Sequence, residues 1–172
     1  MDRETFDRLM FSHLSAAERF ATRLTGDPAS AEDILHDAIV KAAGAAARFR
    51  GESSFKTWLF QIVLNLFRDR LRGKGDEGPP TEEIADRAAV DPAVAGERRE
   101  LAEIIANHVS SLPPREREVL VLIAYEQMSP VDVATMLKMT EQNVRTTLFH
   151  ARQRMKQKLA KYLQEDSRAT RK

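Results

Sequence analysis

Residues 129–155 read SPVDVATMLKMTEQNVRTTLFHARQRM, and this stretch decides the fold of its half of the chain. Ser129-Pro130-Val131-Asp132 is a capping signal with proline at the first helical position, so a helix begins there. Val133, Ala134, Leu137 and Met139 supply its buried side, and the small Ala134 permits close approach of another helix. Thr140, two residues after Lys138, is placed to cap the next helix. Two short helices joined by so tight a turn cross steeply, which predicts a helix-turn-helix.

In the second of these helices Val144, Leu148, Ala151 and Met155 fall at i, i+4, i+7 and i+11, one apolar stripe. At about 100° per residue, the opposite side carries Gln142, Thr146, Phe149 and Gln153. Arg145 and Arg152 flank one edge, and Asn143, His150 and Arg154 the other. Amides and hydroxyls bordered by arginines suit a helix in a major groove, where the former meet base edges and guanidinium groups meet phosphates. An ordinary solvated face is the alternative; the steep turn, the outward Phe149 and a local basic excess favour DNA.

That excess is hidden in the totals. The 172 residues carry 27 Lys and Arg against 26 Asp and Glu. Residues 1–72 hold 11 basic and 10 acidic side chains, 73–97 hold two and seven, and 98–172 hold 14 and nine. A basic end beside an acidic middle suggests a polyanion partner for the end. There is no cysteine, so disulfides, thiolate nucleophiles and cysteine-ligated zinc are excluded, and a reduced compartment is expected. The N-terminus MDRETFDRLM is charged throughout, unlike a signal peptide, and no run approaches the roughly 20 apolar residues of a membrane span. A soluble intracellular chain is expected.

The middle divides the chain. Gly73-Lys-Gly-Asp-Glu-Gly-Pro-Pro-Thr81 holds three of the seven glycines and two of the seven prolines. Acidic, weakly apolar sequence follows, with at most a short helix around Glu82–Ala89, so 73–97 is read as a flexible linker. On both sides the apolar period is helical and strand signals are absent. Helices are expected over 2–25, closed by Gly26; from Asp27-Pro28 to about Arg48; from about Ser54 to Arg72; and near 98–111, 115–126, 129–138 and 141–164. The predicted fold class is all-α, two small helical bundles.

Five of the 11 aromatics, Phe49, Phe55, Trp58, Phe60 and Phe67, crowd the N-terminal half. On the helix that follows, Leu59, Ile62, Val63 and Leu66 form the expected inner stripe. Gln61, Asn65, Arg68 and Arg72 form an opposite line, with Trp58 at its margin. Amides for a base edge, arginines for phosphate and a ring for stacking are what an unpaired strand requires. A flipped base must recover its unstacking cost in a pocket, and the small polar loop Arg50-Gly51-Glu52-Ser53-Ser54 can form one. Phe49 and Phe55 read as core rather than contact. On the preceding helix Leu35, Ala38, Ile39 and Ala42 are expected inward, leaving Glu32, Asp33, His36, Asp37 and Val40 outward to dock a basic partner helix. The spacing of Asp33, His36 and Asp37 would also permit a metal, but acidic wet faces are common and no second histidine is near, so no metal is assigned.

In order, Leu24-Thr-Gly-Asp-Pro-Ala-Ser-Ala-Glu-Asp33, Phe49-Arg-Gly-Glu-Ser-Ser-Phe-Lys-Thr-Trp-Leu-Phe60, Leu112-Pro-Pro-Arg-Glu-Arg-Glu-Val-Leu120 and a helix-turn-helix ending His150-Ala-Arg152 strongly resemble an extracytoplasmic-function (ECF) sigma factor of the bacterial sigma-70 family. The resemblance spans roughly 5–163 and implies a region 2-like domain over 1–72, the linker, a region 4-like domain over 98–165 and a tail over 166–172. It implies a non-enzymatic, cofactor-free protein that binds RNA polymerase core, promoter DNA and an anti-sigma factor in the cytoplasm. Asp33, His36, Asp37 and Val40 would meet the β′ clamp helices, with the β subunit a further contact. Arg50–Ser54 would take a flipped −10 base, and Trp58, Gln61, Asn65, Arg68 and Arg72 would hold the opened strand. Gln142, Asn143, Arg145, Thr146, Phe149, His150 and Arg152 would read the −35 element, while the linker threads toward the RNA exit path. The chain departs from the family pattern at His36-Asp37, where Gln-Glu is common, at Ile39 and Ala43, where aromatics are frequent, at Lys138, where glycine is common, and at Thr147 and His150, where arginine is usual.

Three other readings compete. An enzyme would need chemistry that four scattered histidines (His13, His36, His108, His150) and no Gly-rich phosphate loop do not offer. A sigma-like decoy would bind an anti-sigma factor without initiating transcription. A free helix-turn-helix repressor leaves the N-terminal half without a role.

Overall fold

A computed structural model of the chain describes residues 1–74 and 97–169, which form two compact units. The expected linker falls almost wholly outside the described residues, as do the short helix at 82–89 and the end of the tail. Every regular element among the described residues is helical.

The first unit holds α1 (Arg3–Thr25), α2 (Pro28–Ala45) and α3 (Phe55–Lys74). The Asp2 carboxylate accepts the Thr5 backbone N–H at 2.9 Å and caps α1. That bond and a second from the Thr5 hydroxyl at 3.0 Å stabilise its charged form, so its pKa lies below the usual 3.8. Gly26 stops α1 at φ +72°, a left-handed conformation glycine adopts without steric cost, and its N–H donates to the Thr22 carbonyl at 2.8 Å. Asp27 caps α2 by accepting the Ser30 N–H at 2.8 Å, with Pro28 at the first position. Helix α2 ends at Ala45, and Ala46–Arg48 tighten into a 3₁₀ turn where continuous helix was expected.

Ala17 and Ala21 of α1 and Ala31, Ala38 and Ala42 of α2 are buried, small enough to let the helices approach closely. Phe20 stacks on Phe60 with centroids 4.3 Å apart and planes 9° from parallel. Two expected inward residues of α2, Leu35 and Ile39, are only half-buried, and Ala31 and Ile34 complete the inner face instead. On α3, Ile62 is half-buried while Phe60, Leu64 and Phe67 join Leu59, Val63 and Leu66 in the core. Helix α3 packs against both α1 and α2, so its buried arc is wider than a single stripe.

The second unit holds α4 (Glu97–Ser110), α5 (Pro114–Leu120), α6 (Pro130–Leu137) and α7 (Glu141–Ala169). The helix expected over 115–126 is α-helical only to Leu120 and then widens into a π turn, Val121–Tyr125. The Glu126 N–H reaches the Val121 carbonyl at 3.1 Å, the Met128 N–H reaches that of Leu122 at 3.0 Å, and Gln127 closes the end at φ +56°. Five successive residues, Glu118–Leu122, are buried, more than one face of a regular helix offers.

Ser129 caps α6, accepting the Asp132 N–H at 3.1 Å and donating its hydroxyl to the Asp132 carboxylate at 2.6 Å. Val133, Ala134, Met136 and Leu137 are buried; Met139, expected inward, is half-buried because it follows the turn. Lys138 makes that turn at φ +54°, ψ +51°, and the Met139 N–H returns to the Ala134 carbonyl at 2.9 Å. Thr140 then accepts the Asn143 N–H at 3.2 Å and starts α7. Val144, Leu148 and Ala151 are buried along it, Met155 half-buried, and the helix runs to Ala169, past the end expected near 164. Among the described residues no helix is long and apolar enough to cross a membrane.

Candidate nucleic-acid interface

The helix-turn-helix delivers its second helix with the expected face outward. Gln142, Asn143, Arg145, Thr146, Phe149, His150 and Arg152 are all exposed, opposite buried Val144, Leu148 and Ala151. Phe149 is 58% exposed, a large apolar ring that the unit itself does not cover, touching His150 edge-on with centroids 5.7 Å apart. The Arg145 guanidinium bonds back to Glu141 one turn earlier, its Nε donating at 3.1 Å. Arg154, placed by periodicity at the edge of the expected reading face, instead pairs with Glu116 of α5 at 3.0 Å, fastening α7 to its support. Arg152 borders an apolar groove of about 550 Å³ floored by Val109, Leu120, Met155 and Leu159, so it sits between two surfaces.

The angle of α7 depends on α5. Arg115 donates to the Glu118 carboxylate at 3.0 Å and to the Leu137 carbonyl, the last of α6, at 3.3 Å. Arg117 donates to the Leu112 carbonyl at 3.1 Å, and burial lowers its pKa to about 10, against which the neighbouring Glu118 raises it. None of these arginine–glutamate partnerships was anticipated from the sequence; the run Arg115-Glu-Arg-Glu118 was the available signal.

In the first unit the loop Arg50–Ser54 is exposed throughout, with Gly51 at φ +74° and open space where a Cβ would stand. Its last residue is committed: Ser54 accepts the Thr57 N–H at 3.1 Å and caps α3, its hydroxyl 2.9 Å from that of Thr57. Trp58 is half-buried, against Phe49 at 5.1 Å and Phe55 at 5.4 Å between centroids. Phe55 is buried in that cluster, as its core reading requires, whereas Phe49 is half-buried. Gln61 donates to Asn65 at 3.0 Å, so the two amides present a joined edge one turn apart. Asn65 and Arg72 are exposed and Arg68 half-buried; Arg72 pairs with Asp69.

On α2, Asp33, His36, Asp37 and Val40 are exposed together, Val40 at 60%. The two carboxylates are not free-standing. Arg70, near the end of α3, places one guanidinium nitrogen 3.3 Å from Asp33 and the other 3.3 Å from Asp37. Both carboxylates are thus turned to a cation, and no cluster of three His, Cys, Asp or Glu side chains that could ligate a metal exists among the described residues.

Comparison with known proteins gives both helical units a family. The sigma-70 region 2 family matches residues 9–77, and the sigma-70 region 4 family matches 102–155. The RNA polymerase sigma-H factor of Pseudomonas aeruginosa is 29% identical over 175 residues, covering 95% of this chain and 91% of its own. The ECF RNA polymerase sigma factor SigM of Mycobacterium tuberculosis is 32% identical over 159 residues, covering 90% of this chain and 76% of its own. Among solved structures, the sigma factor RpoE in complex with the anti-sigma factor NepR from Bartonella quintana matches with a TM-score of 0.77 at 26% identity, over 91% of this chain and 98% of that one. The chain belongs to the sigma-70 family, in its extracytoplasmic-function branch. Promoter-specific initiation of transcription is its function, a regulatory role exercised through RNA polymerase and promoter DNA.

Proposed function

We infer that the chain is a dissociable specificity subunit that contributes no catalysis of its own and works in the cytoplasm, where polymerase and promoters are. The face of α2 bearing Asp33, His36, Asp37 and Val40 docks on the β′ clamp helices. The loop Arg50–Ser54 takes a flipped −10 base, while Trp58, Gln61, Asn65, Arg68 and Arg72 hold the separated strand. The outward line of α7 from Gln142 to Arg152 reads the −35 element in the major groove, and the acidic segment 73–97 follows the path of emerging RNA. One observation carries this reading. Two polar lines, Gln61–Asn65 on α3 and Gln142–Thr146 on α7, the latter beside the exposed Phe149 ring, point away from buried stripes in separate units. One carries the chemistry of single-strand binding and the other that of groove reading.

RpoE of Bartonella quintana is held by an anti-sigma factor, and this supports an inhibitor of the same kind for this chain. Run-off transcription by core polymerase on a randomised promoter pool tests the whole reading. Selective initiation that requires this protein is the expected result. Polymerase binding with no initiation would make it a decoy, and tight duplex binding without polymerase would make it a free repressor.

A further inference from the structure

The one guanidinium shared by Asp33 and Asp37 has no part in the function described so far. The two aspartates lie one turn apart on α2, 70% and 51% exposed, and each gives a single oxygen to Arg70. Arg70 is 35% exposed and comes from α3, 33 residues or more away in sequence. Its position on α3 is half a turn from the Gln61–Asn65 line, so it serves the α2 surface and not the strand-binding face.

The geometry points to Arg70 as a positioning residue of the polymerase-docking surface. Its planar fork holds both aspartates at one-turn spacing through one oxygen of each. This rests on the reading of Asp33 and Asp37 as docking residues. Two carboxylates at i, i+4 repel each other, and without a cation between them they turn apart into separate rotamers. A basic partner helix would then have to gather them against that repulsion and order both side chains on arrival. Arg70 does this in advance. It also removes one unit of negative charge from the face, which weakens long-range attraction. That attraction is screened beyond about 8 Å at physiological salt, whereas the ordering acts at contact. At physiological salt positioning therefore outweighs charge, and at low salt the balance shifts toward charge.

Binding of the full-length protein to core RNA polymerase, followed kinetically at physiological and at low ionic strength, tests this. Arg70→Ala is expected to weaken equilibrium binding about 3–10-fold at physiological salt through faster dissociation, with association at low salt unchanged or faster. Arg70→Lys, a point charge in place of a fork, recovers only part of the loss. In an Asp33→Asn/Asp37→Asn background Arg70→Ala has no further effect, because Arg70 acts through those two side chains. Arg3→Ala, which breaks an exposed pair with Asp7, leaves binding unchanged. Should Arg70→Ala not fold, Arg70→Gln carries the same expectations. Undiminished binding by the folded variant, or an equal loss in the aspartate-free background, overturns the proposal while the docking surface stands. Full binding by Asp33→Asn/Asp37→Asn overturns the docking surface itself, and the proposal with it.

Discussion

Arg115 donates to the backbone carbonyl of Leu137 at 3.3 Å, joining the start of α5 to the last carbonyl of α6 across 22 residues of sequence. Its other terminal nitrogen is 3.0 Å from Glu118, whose side chain is only 2% exposed, the one charged residue in the core among the described residues. Removing a cation from a buried carboxylate costs more than the pair contributes, because the remaining charge is left in a poorly solvated place. Arg115→Ala is expected to destabilise the second unit by about 1–3 kcal/mol in urea unfolding. Adding Glu118→Gln should return part of that loss, whereas an additive further loss would show that Arg115 acts on the α6 carbonyl alone.

The turn between α6 and α7 holds a lysine where left-handed backbone is required, at φ +54°. A Cβ in that region costs about 1–2 kcal/mol, partly offset for glycine by its larger unfolded-state entropy. Lys138→Gly is expected to raise stability by up to about 1 kcal/mol. Lys138→Val, β-branched and strained there, should lower it by at least as much. Denaturant midpoints in the order Gly, Lys, Val check the turn; the reverse order would mean that the backbone there is not left-handed.

Much of this architecture was legible because its punctuation is local. Asp27-Pro28, Ser129-Pro130 and Thr140 each cap a helix through a backbone N–H three residues on, and Gly26 supplies its own stop. Periodicity then placed Asn65, Gln142 and Phe149 outward with no tertiary knowledge. What it could not reach are partners joined only by the fold. Arg70 meets Asp33 and Asp37, and Arg154 meets Glu116 across 38 residues, and no spacing rule connects such positions. Nor does a single stripe foresee a helix packed on two sides, which is why Phe60, Leu64 and Phe67 were missing from the expected core of α3.

His108 makes the second unit sensitive to acid. Its Nε2 is buried with no hydrogen-bond partner, and desolvation, then the nearby Lys158, hold its pKa below the usual 6.5. The folded state therefore binds fewer protons near and below pH 6.5 than the unfolded chain does, so stability is full above that pH and falls as the solution is acidified through it. Urea midpoints measured from pH 7.5 downward should decline in the wild type, decline less in Lys158→Met, and lose this component in His108→Gln. A His108→Gln profile parallel to the wild type would place the acid sensitivity elsewhere.

Asn65 and Gln61 present one joined amide edge on a helix whose other side is core, half a turn from Arg70, which meets the proposed docking face of α2. Asn65→Ala is expected to reduce open-complex formation about 5–10-fold, or about 1–1.4 kcal/mol, the worth of one lost hydrogen bond, while core polymerase affinity stays within about twofold. Permanganate footprinting of the −10 region and a polymerase binding assay separate the two effects. Equal losses in both would contradict a division of labour between α3 and α2.

Arg145 starts from a compromised position, its guanidinium drawn back along α7 to Glu141. To reach a base it must exchange that exposed pair for a base edge, and since such pairs are worth about 0–1 kcal/mol the exchange is affordable. If it reads a base, Arg145→Ala costs about 1–3 kcal/mol at one position of the −35 element and relaxes preference there. If it holds a phosphate, the loss is uniform across sequences and the salt dependence shrinks by about one ion. Glu141→Gln distinguishes the same cases from the other side. It releases the guanidinium, so affinity for the preferred sequence should rise more than for random DNA in the first case, and equally for both in the second.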